Sequence, residues 1–253
     1  MKKILKIQSN KAEINWFEDW FNSSYYHLLY KERDFVEAEY FISNILNYLT
    51  PKKNAKILDV ACGKGRHSIF LNKQGFATDG FDLSENSILE AKKNETSTLK
   101  FFINDIREPL KTNFYDFAFN VFTSFGYFID EKDNQKSINA IAKSLTKGGV
   151  LIIDFLNSNY TVSNLKNIDS KTIENITFNI TKKIEDDFVV KHIKFTDMNT
   201  NFHYTEKVKL LHLADFKNYL TAAGLTIEAT FGDYSLNPFN ENNSERLIII
   251  AKK

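Results

Sequence analysis

The stretch Lys56-Ile57-Leu58-Asp59-Val60-Ala61-Cys62-Gly63-Lys64-Gly65-Arg66-His67 restricts the fold of this chain more than any other. Ile57, Leu58 and Val60 form a short apolar run of the kind found in strands covered on both faces. Gly63 and Gly65 permit a tight turn and leave bare backbone that a ligand can approach. Ser68, Ile69, Phe70 and Leu71 then open a helix that Gln74-Gly75 can close. A strand, a glycine turn and a helix in that order create a crevice at the carboxyl end of a parallel strand, where open α/β sheets bind ligands.

The rest of the chain agrees with an α/β body. Strands are expected over Lys56–Val60, Phe76–Asp82, Leu99–Asn104, Tyr115–Val121 and Val150–Phe155, and helices over Arg66–Gln74, Glu85–Asn94 and Lys132–Thr146. Ser84 is placed to cap the second of these helices. Lys147-Gly148-Gly149 stops the third and turns into the next strand. This alternation implies a parallel sheet with right-handed crossovers.

The two flanks read differently. From Asn10 to Leu49 the signals are helical: one segment holds Trp16, Phe17, Trp20 and Phe21, with Asn10 or Asn15 as its cap. A second helix runs from about Lys31 to Leu49 with Phe35, Ala38, Phe41, Ile42, Ile45, Leu46 and Leu49 on one face, and Thr50-Pro51 ends it. Between them lies the aromatic segment Ser23–Tyr30. Ile173–Ile184, Phe188–Phe195 and Phe202–Leu213 read as three consecutive strands, hence an antiparallel sheet inserted in the body. Ala214–Ala223 reads as helix, and Leu225–Phe231 and Arg246–Ala251 as two final strands. The division is a helical cap over 1–50, a ligand-binding body over 51–165 and 214–253, and an inserted β lid over 166–213.

Composition narrows the functional classes. A net charge of +1 gives no general attraction to nucleic acid or to an anionic membrane. No apolar run reaches the roughly 18 residues of a membrane span. Lys6 and Gln8 interrupt the apolar start, so no signal peptide is expected. The single cysteine excludes an internal disulfide and a cysteine metal cluster. A cytoplasmic protein is the expectation, either monomer or homodimer, with no metal.

Asp82 follows Asp59 by 23 residues and closes the second strand. An acid about 20 residues past a glycine loop commonly takes the two hydroxyls of a ribose. Asn104-Asp105-Ile106 ends the third strand, where an acid can accept from an adenine amino group. Two nucleotide readings compete. The nicotinamide fingerprint needs a third glycine, and Ser68 stands there. Asp59 would also repel a pyrophosphate and welcome a cation. S-adenosylmethionine carries an α-ammonium, a sulfonium, a ribose and an adenine, and matches this set better than a nicotinamide dinucleotide.

With these residues in view, the chain resembles the class I S-adenosylmethionine-dependent methyltransferases. Asp59–Arg66 is similar to their first motif, Gly80-Phe81-Asp82-Leu83-Ser84 to their ribose motif, and Leu145-Thr146-Lys147-Gly148-Gly149 to a late motif in which Lys147 replaces the usual proline. The likeness runs from about Tyr25 to the C-terminus. Ser124-Phe125-Gly126-Tyr127-Phe128, Gly232-Asp233-Tyr234 and Ser244–Ile248 resemble a bacterial subgroup.

The resemblance implies a Rossmann-like seven-stranded sheet whose last strand is antiparallel. It places Asp59, Ala61, Cys62, Gly63 and Gly65 along the methionine half of the cofactor, and Asp82 at the ribose. It sets Leu83, Asp105 and Ile106 around the adenine, and Asn120 and Val121 on the floor near the sulfur. Arg66 and Arg33 become candidates for a carboxylate, and Tyr25 and Tyr30 for covering the cofactor.

The implied reaction is methyl transfer from S-adenosylmethionine to a nitrogen or oxygen of a small molecule, leaving S-adenosylhomocysteine. Tyr127, His27 and His67 are the candidate proton acceptors, while Cys62 reads as a small loop residue. Asn120-Val121-Phe122-Thr123 lacks the Asn-Pro-Pro-Tyr signature of enzymes that methylate exocyclic amines of nucleic acid. A non-catalytic S-adenosylmethionine-binding sensor or partner subunit is the alternative, and an NAD-dependent oxidoreductase a further one.

Overall fold

The computed structural model describes residues 16–31 and 35–253. Seven strands form the central sheet: β1 (Lys56–Val60), β2 (Ala77–Asp82), β3 (Leu99–Ile103), β4 (Tyr115–Asn120), β5 (Leu145–Leu156), β10 (Thr226–Phe231) and β11 (Arg246–Lys252). Their order is β10-β11-β5-β4-β1-β2-β3. β1 runs parallel to both β2 and β4, whereas β11 is antiparallel to both β5 and β10. This is the Rossmann-like arrangement with an antiparallel last strand that the resemblance implies. The strand order reverses between β1 and β4, so the ligand crevice belongs at their carboxyl ends.

Alternation with period two builds both layers of the core. Ile57, Phe119, Ile152, Ile248 and Ile250 face α3 (Phe35–Leu49) and α4 (Arg66–Lys73). Leu151, Ile153, Leu247 and Ile249 face α6 (Glu131–Ser144) and α8 (Leu213–Ala222). α3 therefore lies on the sheet, through Phe41, Ile42 and Ile45. Its apolar stripe continues the sheet-covering pattern of α4. α5 (Glu85–Ala91) is capped by Ser84, whose Oγ accepts from the Ser87 N–H at 3.2 Å.

Several boundaries differ from the sequence reading. The aromatic segment between the first helices is itself helical: α1 (Trp16–Phe21) is followed by α2 (Ser24–Leu29), because the Ser23 side chain accepts from the Tyr25 N–H at 3.1 Å and starts a new turn. β5 begins at Leu145, so Lys147-Gly148-Gly149 lies in an irregular first part of the strand, where Gly148, at a φ of 78°, and Gly149 exchange backbone hydrogen bonds with Lys253. The inserted sheet has four strands: β6 (Ile168–Ile173), β7 (Ile176–Glu185), β8 (Phe188–Asp197) and β9 (Thr200–Lys209). β6 carries few apolar residues and is held by backbone pairing to β7. A short helix, α7 (Ser158–Ser163), precedes it. Arg33, Asn10 and Asn15 lie outside the described residues. Among those described, no helix is long and apolar enough to cross a membrane.

Candidate functional site

The turn after β1 has left-handed backbone at Ala61, Gly63 and Gly65, with φ of 56°, 55° and 80°. The two glycines serve different ends. A Cβ on Gly63 would meet nothing within 4 Å, so its backbone faces open space. A Cβ on Gly65 would sit 2.5 Å from the Phe101 ring, so the bare carbon lets α4 start against β3.

Two carboxylates flank this turn. Asp59 is 1% exposed and accepts from Ser68 Oγ at 2.5 Å. Burial pushes its carboxyl up to about 7 against the pull of Ser68, and the neighbouring Asp82 adds to the rise. Asp82 accepts from the Gly63 N–H at 2.9 Å and the Ser84 N–H at 2.8 Å, one through each oxygen. Burial raises this carboxyl too, against those backbone donors. Each oxygen keeps lone-pair capacity for a further donor.

Both acids open on a cleft of about 600 Å³. Ala61, Cys62, Gly63, Arg66, Leu83, Asp105, Ile106 and Val121 line it, as do Tyr30, His27, His67 and Tyr127. Among the described residues, three expected ones do not. Tyr25 turns its hydroxyl to Asp197 at 2.8 Å and packs on Phe195 and Phe202 of the small sheet. Asn120 is buried below the cleft, and its amide donates to the Ser124 carbonyl at 3.1 Å. Gly65 stands behind the turn. Asp105 does line the cleft, yet Arg107 grips its carboxylate from two nitrogens, with Nη2 at 2.6 Å.

The environments of the candidate proton acceptors differ. His27 is lowered to about 4, chiefly by burial and then by the Lys64 ammonium, so its ring is neutral near pH 7. His67 is 7% exposed and stacks on Phe122, with centroids 4.9 Å apart. The Tyr127 hydroxyl donates to the Thr123 carbonyl at 2.6 Å. Burial lifts the Cys62 thiol well above its usual range, which removes thiolate chemistry. Among the described residues no cluster of His, Cys, Asp or Glu could hold a metal ion.

Aromatic side chains close the cleft. Phe17 and Phe21 of α1, Tyr26 of α2, and Phe122, Phe125 and Phe128 after β4 all line it. Phe122, Phe125 and Phe128 follow a parallel strand whose carboxyl end carries the crevice, and that position is their signal; Phe17 and Phe21 have only an aromatic-rich composition (14%), which does not separate pocket from core. Phe122 and Thr123 carry left-handed backbone, φ 58° and 61°. Asp154 holds them there: its Oδ2 accepts from the Phe122 N–H at 2.8 Å, and its backbone carbonyl from the Thr123 N–H at 2.9 Å. Arg246 completes the brace, donating from Nε to Asp154 at 2.7 Å and from Nη2 to Thr123 Oγ1 at 2.9 Å.

Comparison with known proteins agrees with this geometry. Residues 51–220 match the family model described as a methyltransferase domain. A putative methyltransferase of Geobacillus sp. is 24% identical over 248 residues, spanning 90% of this chain and 97% of its own length. The dTDP-3-amino-3,4,6-trideoxy-alpha-D-glucopyranose N,N-dimethyltransferase of Streptomyces venezuelae is 24% identical over 217 residues, 80% of this chain and 89% of that one. The crystal structure of an S-adenosylmethionine-dependent methyltransferase from Clostridium acetobutylicum superposes with a TM-score of 0.75 at 24% identity, covering 90% of this chain and 95% of the other.

Proposed function

The chain belongs to the methyltransferase-domain family, and from that premise we propose that it methylates a nitrogen or oxygen of a small molecule, with an amine as the favoured acceptor. Its enzyme class is that of the S-adenosylmethionine-dependent methyltransferases. The observation that carries the reading is the pair Asp59 and Asp82, at the tips of adjacent parallel strands, flanking a glycine turn that opens on one cleft.

The residues present fit the methyl donor. Asp82 has one lone pair per oxygen left for a ribose diol, and hydrogen bonds to a charged acceptor contribute about 1.5–3 kcal/mol each. Asp59, buried and, among the described residues, without a cationic neighbour in hydrogen-bonding contact, suits an α-ammonium. Gly63 leaves room for close approach, and Arg66 is the candidate for the carboxylate. Leu83 and Ile106 offer apolar contact to a flat base, with Asp105 beside them. When bound, the cofactor supplies an electrophilic methyl on a sulfonium.

The chain's contribution is alignment and the exclusion of water. Phe17, Phe21, Tyr26 and Tyr30 roof the cleft, and the braced Phe122–Tyr127 loop forms its wall. A free amine needs no strong base, which suits a cleft whose His27 is a poor proton acceptor. Aromatic faces at the cleft favour the cationic amine product. The amino-sugar N,N-dimethyltransferase relative supports the same choice. The +1 net charge argues against nucleic acid as a partner, and the proposed setting is the cytoplasm, as monomer or homodimer.

The test is incubation with S-adenosylmethionine and a panel of small amines and alcohols, following S-adenosylhomocysteine by chromatography. Turnover with an amine is expected. Failure to bind S-adenosylhomocysteine in calorimetry would overturn the reading. Tight binding with no turnover on a whole metabolite extract would favour a sensor.

A further inference from the structure

The four-stranded sheet contributes none of its described residues to the lining of the cleft. It nevertheless holds the roof. α1 and α2 are six residues each, too short to persist without tertiary support. Both are tied to one carboxylate on β9. Glu206 accepts from Trp20 Nε1 of α1 at 2.7 Å, and from the Tyr30 hydroxyl just after α2 at 2.7 Å and 3.0 Å through its two oxygens. Directly across the strand pair, Lys191 of β8 lies 3.1 Å from Glu206 Oε2. The Lys191 ammonium also contacts the Tyr30 hydroxyl and sits 4.6 Å above that ring. The Lys191 and Glu206 side chains are only 14% and 16% exposed, and Trp20 is fully buried with its ring 4.6 Å from Tyr204.

We propose that Glu206 and Lys191 are positioning residues for the cofactor cleft, acting through Tyr30 and Trp20 to keep the aromatic roof seated. The proposal rests on the cofactor reading above. Tyr30 is the only one of the four that lines the cleft, so the charge pair reaches the ligand through it. A Glu206→Gln change keeps shape and removes charge. The amide keeps one acceptor oxygen, and its NH₂ group takes the place of an oxygen that faces the donor-only Lys191 ammonium. The charge-assisted ties of both helices weaken, and the Lys191 ammonium loses its carboxylate. If the seated roof falls to about a tenth of the population, the apparent Kd rises about tenfold.

The experiment uses the full chain and S-adenosylhomocysteine as the probe. Calorimetry gives Kd, stopped-flow mixing gives the dissociation rate, and the emission of Trp16 and Trp20, the chain's two tryptophans, reports the seating of α1. Glu206→Gln, Tyr30→Phe, the double variant and Lys191→Met are compared well below their melting temperatures. The expected result is a Kd about tenfold higher in Glu206→Gln, through faster dissociation, with shifted tryptophan emission. Adding Tyr30→Phe to Glu206→Gln should then weaken binding no further. Should Glu206→Gln fail to fold, Tyr30→Phe and Lys191→Met carry the same expectation. Wild-type Kd and dissociation rate in the folded variants, or full additivity in the double variant, would overturn the latch. Absence of binding to the wild-type chain would overturn the cofactor reading itself.

Discussion

Asp154 and Arg246 meet at 2.7 Å where β5 and β11 run side by side, and this pair fixes a loop that belongs to neither strand. The Asp154 side chain is fully buried, and its second oxygen restrains the Phe122 N–H at the start of the cleft wall. Two consecutive non-glycine residues in left-handed backbone cost free energy that only such a restraint maintains.

Removing the acid should therefore cost more than removing an exposed charge. Asp154→Ala leaves Arg246 without its carboxylate and releases Phe122, so the expected loss is about 3 kcal/mol in urea unfolding. Asp154→Asn should lose less, because an acceptor oxygen remains. A loss below about 0.5 kcal/mol for the alanine variant would show that the loop holds its own shape.

Asp82→Ala should weaken S-adenosylhomocysteine binding about tenfold or more in calorimetry, since two charged hydrogen bonds to a ribose disappear. Unchanged affinity would place the ribose elsewhere.

The pH dependence follows from Asp59. Its folded-state carboxyl is raised to about 7, so the ligand-free fold carries a proton there that the unfolded chain has already lost above the ordinary carboxyl range. This group's stabilising effect on the ligand-free protein is complete at acid pH and disappears as pH rises through about 7. An ammonium reverses the preference, because only the carboxylate pairs with it. Affinity for S-adenosylhomocysteine should thus be about tenfold higher at pH 8 than at pH 6, with proton release on binding at the lower pH. Calorimetry in buffers of different ionisation enthalpy measures that proton. Asp59→Asn should flatten the profile.

The legible parts of this site are the local ones. Asp59, Gly63 and Asp82 sit on one strand–turn–helix unit and the strand beside it, so spacing alone brings them together. Tyr25 and Tyr30 belong to one aromatic segment, but their directions are set by Asp197 and Glu206, more than 170 residues away, and no local pattern encodes which ring faces the cleft. The Asp154–Arg246 brace went unread for the same reason: 92 residues separate its members. β6 escaped because Ile168-Asp-Ser-Lys-Thr-Ile173 has no alternating apolar face and exists by pairing with β7.

The two glycines of the turn should fail in different assays when each becomes alanine. At Gly65 the added methyl must enter the Phe101 ring, 2.5 Å away, at a φ of 80° that alanine resists. Overpacking and left-handed strain together predict a loss of about 2–4 kcal/mol in stability, with ligand affinity falling only as the fold does. At Gly63 the methyl meets nothing, so the cost to the fold is the left-handed backbone alone, about 1–2 kcal/mol. That methyl takes space the ligand needs, and S-adenosylhomocysteine affinity should fall by more than tenfold while the protein stays folded. Thermal melts with and without ligand separate the cases: Gly65→Ala lowers both midpoints together, and Gly63→Ala removes most of the shift that ligand produces. Equal behaviour of the two variants would mean that Gly63, like Gly65, faces protein rather than the bound molecule.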